Sequence, residues 1–342
     1  MLDLDICKLQ NKSRSLENTV FLIGNGNRPF GLKVANTFKS IYHCIVSDCQ
    51  PSRFANGEIK MDSIKENIRQ KDIIIIQSMI ETKINNYTYS VNDLFMELCT
   101  MIDAVNRGSA RSVTVVMPIF PYQRQDRKDC SRCPITARMV TTVLESLKIS
   151  RVIVFDLHAS QIQGFFSHTP LDNLFSEPYF IRYIKELNKE INPNNVLNFE
   201  NFCLVSPDEG GIKRVIRMAN KMNVASAFIY KERKKANEIS KMIIMGDVQD
   251  KICILIDDMI DTGGTACKAC QLLKDNGATD VYMCACHGIL SSPCIERIRD
   301  SQFKKVVVTN TVINDSNIND NDKIDIIDVT EMCAIAVERC LN

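Results

Sequence analysis

Two adjacent aspartates running straight into a glycine turn mark where this chain can do chemistry. Asp257 and Asp258 close an apolar run, Ile252 to Ile256, and Asp261, Thr262, Gly263, Gly264 and Thr265 follow before a helical pattern from Ala266 to Asn276. The β-branched run reads as a buried strand. Strand, small-residue turn and helix start together aim backbone N–H groups at an anion, and the helix N-terminus adds favourable partial charge. The acids beside such an anion could hold ribose hydroxyls or a hydrated magnesium ion. A plain βα turn with a threonine cap needs less than this.

A second strand, glycine turn and helix start stands at Cys203 to Met222, with Pro207, Asp208, Glu209, Gly210 and Gly211 in the turn. Arg124, Arg127, Lys128 and Arg132 crowd the stretch that follows an expected strand at Ser112 to Met117. Open α/β sheets bind ligands at such carboxyl ends, and a bidentate arginine suits a triphosphate. Asp156 and His158 follow the strand Arg151 to Phe155. On an extended segment the spacing i, i+2 sends both to one side, where they could share a metal-bound phosphate. Lys231-Glu232-Arg233-Lys234-Lys235 reads as a loop between strands, able to close over developing charge as a lid. Arg53-Phe54-Ala55-Asn56-Gly57-Glu58 reads, on spacing, as a turn with a solvated glutamate.

The elements that must position these residues alternate along the chain. Strands are expected at Thr19–Ile23, Asp72–Gln77, Ser112–Met117, Arg151–Phe155, Cys203–Ser206, Val224–Tyr230, Met242–Gly246, Ile252–Ile256, Val281–Cys286 and Lys305–Thr309. Helices are expected at Phe30–Phe38, Val91–Arg107, Ile135–Leu147, Glu177–Leu187, Ile212–Met222, Ile295–Asp300 and Val329–Cys340. Thr82–Ser90, Glu190–Asn201 and Asn314–Lys323 read as polar loops, and Gln161–Asp172 as a turn-rich subunit contact or domain junction. Gly24-Asn25-Gly26-Asn27 is not a dinucleotide fingerprint, because Pro29 stands where the third glycine belongs. The pattern gives an α/β fold of two similar domains, each a mainly parallel sheet flanked by helices, spanning 1–169 and 170–342.

The 342 residues carry 42 basic and 41 acidic side chains, so no global charge drives the chain to nucleic acid or membrane. The absence of Trp argues against a base-stacking surface. No apolar run reaches membrane-spanning length, and the first residues lack a signal-peptide layout. Fifteen cysteines in that setting suggest reduced thiols and a cytoplasmic location. Cys130 with Cys133 and Cys267 with Cys270 form two C-x-x-C pairs far apart in sequence, the second on a helix face that reads as core.

Taken in order, RFANGE, RQDRK, DLHASQIQGFF, SPDEGG, KERKKANE and DDMIDTGGT give a chain that resembles the ribose-phosphate pyrophosphokinase (phosphoribosyl pyrophosphate synthetase) family from about Thr19 to about Cys340. The resemblance implies an adenine pocket of Phe54, Asn56 and Glu58, offered to a neighbouring subunit's site, in place of the solvated turn. It implies that Arg124 and Gln125 hold ATP, and that Asp156 and His158, with Asp208, bind magnesium and triphosphate. Asp208, Glu209, Gly210 and Gly211 would hold pyrophosphate, Asp257 and Asp258 the ribose hydroxyls, and Asp261 to Thr265 the 5-phosphate. Lys231 and Arg233 match the catalytic flexible loop. The implied activity uses ATP and ribose 5-phosphate, with magnesium as cofactor, in an assembly that is at least a dimer.

Departures from the family pattern bear on regulation. The chain stops at Cys340-Leu341-Asn342, whereas members controlled by phosphate and ADP carry a further tail, so that control is not expected to carry over. The polar loops at 82–90 and 190–201 are longer than usual, which leaves a hexamer open. Two rivals remain: a phosphoribosyltransferase, and a catalytically silent regulatory subunit resembling the synthetase-associated proteins. The intact KERKKANE stretch favours an active enzyme over the second.

Overall fold

A computed structural model describes residues 16–193, 198–235, 238–312, 318 and 321–341, with the side chains of 231–241 excepted. In chain order its strands and helices are β1 (Thr19–Ile23), α1 (Arg28–Ile41), β2 (Ile45–Val46), β3 (Ser52–Arg53), β4 (Ile59–Lys60), β5 (Asp72–Ile76), β6 (Thr82–Ile84), β7 (Tyr87–Tyr89), α2 (Val91–Arg107), β8 (Ser112–Met117), α3 (Thr136–Ser146), β9 (Arg151–Phe155) and β10 (Leu171–Leu174). There follow α4 (Glu177–Ile191), β11 (Phe202–Ser206), α5 (Ile212–Met222), β12 (Ala225–Lys235), β13 (Glu238–Met245), β14 (Ile252–Ile260), α6 (Gly264–Asp275), β15 (Asp280–Gly288), α7 (Cys294–Asp300), β16 (Lys305–Thr309), β17 (Ile324–Ile327) and α8 (Thr330–Leu341).

The chain divides into two units, and the division is not the expected cut after residue 169. The first unit runs through Leu174 and takes back α8; the second covers Phe175–Val329. The reason is local. The stretch read as a junction ends in the start of β10, which pairs parallel with β9 and belongs to the first sheet. Helix α8 buries Cys333, Ala334, Ile335 and Val337 and packs on α1. The Cys340 thiol also donates to Asp172 at 3.4 Å.

The first unit's sheet has the order β10-β9-β8-β5-β1-β2, parallel throughout. Its central strand β5 is almost pure isoleucine, and Ile73, Ile74 and Ile75 are fully buried, as a strand covered on both faces requires. Pro29, which excluded the dinucleotide motif, sits in the first turn of α1, where its missing N–H costs nothing. Helix α2 starts on a capping box: Asp93 N–H donates to Ser90 Oγ at 3.2 Å and Ser90 N–H to Asp93 Oδ2 at 2.9 Å. The polar stretch before it, expected to be a loop, is the hairpin β6–β7, turned at Asn85 with φ of 53°. Asparagine tolerates that left-handed backbone.

The second unit's sheet has the order β13-β12-β11-β14-β15-β16-β17, parallel except for β12–β13. Alternate residues serve opposite faces. Cys203, Val205, Cys253 and Leu255 pack with Ala269, Cys270 and Leu273 of α6 and with Ile298 of α7. Phe202, Leu204, Ile252 and Ile254 pack with Ile184 of α4 and with Val215 and Met218 of α5. Cys270 belongs to that core, and burial pushes its thiol up to about 12. Strand β17 was not expected beside the polar loop that precedes it; it pairs with β16 from Val306↔Ile324 to Thr309↔Ile327. Residues 231–235, expected in a loop, are backbone of β12 and pair antiparallel with β13.

Ile74→Ala in the first sheet should cost about 2–5 kcal/mol, since it deletes three methyl-sized groups from a site that cannot close. Urea unfolding would measure it; a loss near zero would mean that β5 is not held between two packed faces.

Candidate active site

In the second sheet the chain goes from β11 to β12 on one side, then crosses back to place β14 on the other. The crevice at the carboxyl ends of β11 and β14 is therefore a topological switch point, where open α/β sheets take ligands. Both glycine turns found in the sequence emerge there.

After β11, Ser206 Oγ donates to the Asp208 carbonyl at 2.6 Å, and Gly211 N–H donates to Asp208 Oδ1 at 3.3 Å. The turn delivers the chain into α5, while Glu209 and Gly210 are exposed. Strand β14 runs further than expected. It continues through Asp257 and Asp258 to Ile260, pairing with β15 as Asp257↔Ala285 and Ile260↔Gly288. The two acids are thus fixed by a ladder instead of sitting in a turn. By alternation Asp258 continues the α5 side of the sheet, and Arg214 of α5 meets it: Nη1 lies 3.4 Å from Asp258 Oδ1 and 3.8 Å from Asp257 Oδ1. Burial raises the Asp257 pKa well above the ordinary carboxylate range; Asp258 and Asp208 raise it further, and Arg214 opposes them. That arrangement favours whatever brings hydroxyl donors or positive charge to the acids.

The T-G-G-T turn follows. The cap of α6 is Gly263, in the left-handed conformation at φ of 73°, so the helix does not start on a threonine. A Cβ there would lie 2.8 Å from Cys294 Sγ, and L side chains avoid that backbone. Arg297 of α7 braces the turn, donating from Nη1 to the Thr262 carbonyl at 2.8 Å. Thr262 and Thr265 are exposed, Asp261 and Gly264 half-buried. The result is a helix start open to an anion beside fixed carboxylates.

The first unit holds the other expected residues. Phe54, Asn56 and Glu58 lie in the turn of hairpin β3–β4, closed by Phe54 N–H donating to the Glu58 carbonyl at 2.8 Å. Phe54 is 51% exposed, a large apolar face turned to solvent. Arg53 anchors the hairpin to α2 through Asp93 at 3.1 Å and lies over the Tyr89 ring. Arg124 and Gln125 are exposed in the loop after β8. Gln125 accepts a hydrogen bond from Thr136 Oγ1, which ties that loop to the start of α3.

Asp156 and His158 do not share an extended segment. Asp156 has φ of 32°, so the strand ends on it and the period-two argument fails there. Asp156 is buried and His158 exposed. Buried Gln123 joins the two loops, accepting from His158 N–H at 2.9 Å, and Gln161 Nε2 donates to Asp126 Oδ2 at 3.0 Å. Among the described residues no three His, Cys, Asp or Glu side chains gather as a metal site. The side chains of Lys231 and Arg233 lie outside the described residues.

Arg214, Arg297 and Gln123 are the site residues that sequence reasoning missed. Each acts across a long sequence separation, and Gln123 stands just before the RQDRK motif.

Two units of this build are a phosphoribosyltransferase-like architecture, and the comparisons narrow it. The profile for the N-terminal domain of ribose phosphate pyrophosphokinase matches residues 19–147, and that for the phosphoribosyl synthetase-associated domain matches 233–342. Ribose-phosphate pyrophosphokinase 2 of Schizosaccharomyces pombe is 44% identical over 288 residues, 84% of either chain. The crystal structure of phosphoribosylpyrophosphate synthetase from Mycobacterium smegmatis superposes with a TM-score of 0.83 at 33% identity, over 95% of this chain and 99% of that one. The chain belongs to the ribose-phosphate pyrophosphokinase family, a family of transferases. No described helix is long and apolar enough to cross a membrane.

Glu145 of α3 fastens the segment that follows Asp156 and His158. Its Oε1 accepts from the N–H groups of Ser167 and His168, both at 2.7 Å, and of Thr169 at 3.2 Å. Burial works to raise its pKa, but those donors and Arg138 hold it below the ordinary 4.5. A depressed carboxylate contributes fully above its unfolded value and is lost as pH falls through the folded one. Hydrogen-exchange protection at 167–169 should therefore fall on acidification below about pH 4.5, and Glu145→Gln should abolish that dependence. Protection that is flat down to about pH 3 would show that the tether carries no charge.

Proposed function

We propose that this chain transfers the pyrophosphoryl group of ATP to the anomeric hydroxyl of ribose 5-phosphate, giving phosphoribosyl pyrophosphate and AMP. The observation that carries this reading is the second unit's switch point. Fixed acids at Asp257 and Asp258 stand beside an N-terminal helix turn opened by left-handed Gly263, a seat for sugar hydroxyls next to a seat for phosphate. The names of the relatives agree with it.

In this reading Asp257 and Asp258 accept from the ribose hydroxyls, and Asp261, Thr262, Gly263, Gly264 and Thr265 hold the 5-phosphate. Asp208, Glu209, Gly210 and Gly211 receive the pyrophosphoryl group. Phe54 stacks on adenine while Asn56 and Glu58 bond its edge, and Arg124, Gln125 and His158 orient the triphosphate. The anomeric oxygen attacks the β-phosphorus, the bond from that phosphorus to the α,β-bridging oxygen breaks, AMP departs with that oxygen, and the hydroxyl proton is lost. The protein's share is positioning and charge neutralisation. Magnesium, when bound, would offset phosphate charge; it takes few protein ligands when phosphates supply the rest. Asp156, His158 and Asp208 are its proposed donors. Lys231 and Arg233 neutralise charge on the moving group. Assembly into at least a dimer and a cytoplasmic location belong to the same proposal.

The match of residues 233–342 to a synthetase-associated domain keeps a second reading in view, that of a regulatory partner without turnover of its own. Incubation with ribose 5-phosphate and ATP labelled at the γ-phosphate separates the two. Label should appear in an acid-labile sugar diphosphate while AMP is released unlabelled. Release of ADP, or no turnover at all, would sink the enzyme reading. Lys231→Ala should lower kcat by roughly 10²-fold or more, the effect of losing a charge-stabilising donor; a normal kcat would remove Lys231 from the mechanism.

A further inference from the structure

The first sheet also has a switch point. From β1 the chain goes to β2 on one side, then builds β5, β8, β9 and β10 on the other. The crevice at the ends of β1 and β5 is where a ligand would be sought. It is filled instead by a side chain of the protein. Glu97 of α2 is fully buried there. Its Oε1 accepts from Asn25 N–H at 2.7 Å and from Gln77 Nε2 at 2.8 Å, and its Oε2 accepts from Asn25 Nδ2 at 2.7 Å. Gly26 N–H closes the ring by donating to Gln77 Oε1 at 2.8 Å. No other residue fits at Gly26, since a Cβ would lie 1.9 Å from the Ser78 carbonyl oxygen. The glycine loop thus holds an internal carboxylate as such loops hold a bound anion.

Asn25 carries this fixed point outward. Its Nδ2 also donates to the Pro51 carbonyl at 2.9 Å, and its Oδ1 accepts from Gln50 Nε2 at 2.6 Å. Gln50 and Pro51 lead directly into β3, the first strand of the hairpin that presents Phe54, Asn56 and Glu58. The hairpin's other attachment, Arg53 to Asp93, is also to α2. One helix therefore holds the hairpin at both its root and its flank.

We propose that Glu97, acting through Asn25, is a positioning residue that sets where the Phe54–Glu58 hairpin stands for the nucleotide. This rests on reading that hairpin as the adenine pocket. The geometry requires an acceptor at both carboxyl oxygens. Oε1 receives two donors and Oε2 one, so an isosteric amide must turn its NH₂ against an N–H whichever way it flips. The flip that opposes least breaks the contact to Asn25 Nδ2 and loosens residues 50 and 51.

The test is steady-state kinetics and ATP titration calorimetry on Gln50→Ala, Glu97→Gln and Phe54→Ala. Gln50 is exposed, so its variant removes one of the two contacts from Asn25 to residues 50 and 51 without entering the core, and its effect on ATP can be read even if Glu97→Gln does not fold. Gln50→Ala should weaken ATP about five-fold, the worth of one net hydrogen bond, and Glu97→Gln by about ten-fold or more. kcat and the KM for ribose 5-phosphate should stay within about two-fold, a split that general destabilisation does not produce. If Phe54→Ala weakens ATP while Gln50→Ala leaves it at the wild-type value, the positioning role is wrong and the adenine pocket stands. If Phe54→Ala leaves ATP binding intact, the pocket reading fails and takes this proposal with it.

Discussion

Three carboxylates gathered at the ends of neighbouring strands should repel one another, and the Arg214 guanidinium meets two of them. It reaches Asp258 and Asp257 from α5, the helix that begins just after the turn carrying Asp208. The parallel ladder forces the crowding, because β11 and β14 deliver their following residues to the same sheet edge. Burial and the neighbouring Asp258 and Asp208 push Asp257 towards its protonated form, and Arg214 opposes them. Such a site favours hydroxyl donors or cations beside the acids. Its rigidity comes from the strand register and from the core packed on both faces beneath it.

The two sheets use their switch points differently. In the second, the crevice is left to the glycine turns and their acids. In the first, the equivalent place is closed by Glu97, and the residues expected to meet the nucleotide stand on loops after β8 and β9 and on a hairpin beside α2. Similar topology therefore does not imply similar use. The glycines after β1 fold round a protein carboxylate, which is the physical content behind the failed dinucleotide fingerprint: the loop is an anion cradle with its anion already supplied.

Most of the framework could be read from residue order. Runs such as Asp72–Ile76 have one physical solution, and Gly263 declared its turn by type and neighbours. What escaped the sequence were contacts between distant positions and strands that break the apolar rule. Arg214 looks like any solvated helix arginine until β14 brings Asp258, 44 residues away, beside it. Glu97 lies on a helix whose pattern is otherwise apolar inward, and nothing in its neighbours announces that Asn25 and Gln77 will surround it. Strand β12 continues through a basic cluster because β13 pairs with it, and polar composition conceals that ladder. Likewise the expected strand stops at Ile256, because charge at Asp257 and Asp258 conceals the pairing with β15.

The return of α8 to the first unit bears on how the molecule is made. The second unit is one continuous stretch, Phe175–Val329, and can close its core as it leaves the ribosome. The first unit begins the chain but cannot cover α1 until Thr330–Leu341 has been synthesised. The first unit is therefore completed only after the second has been made, the reverse of the usual vectorial order, and its amino-terminal part stays uncapped, exposed to chaperones and proteases, until α8 follows.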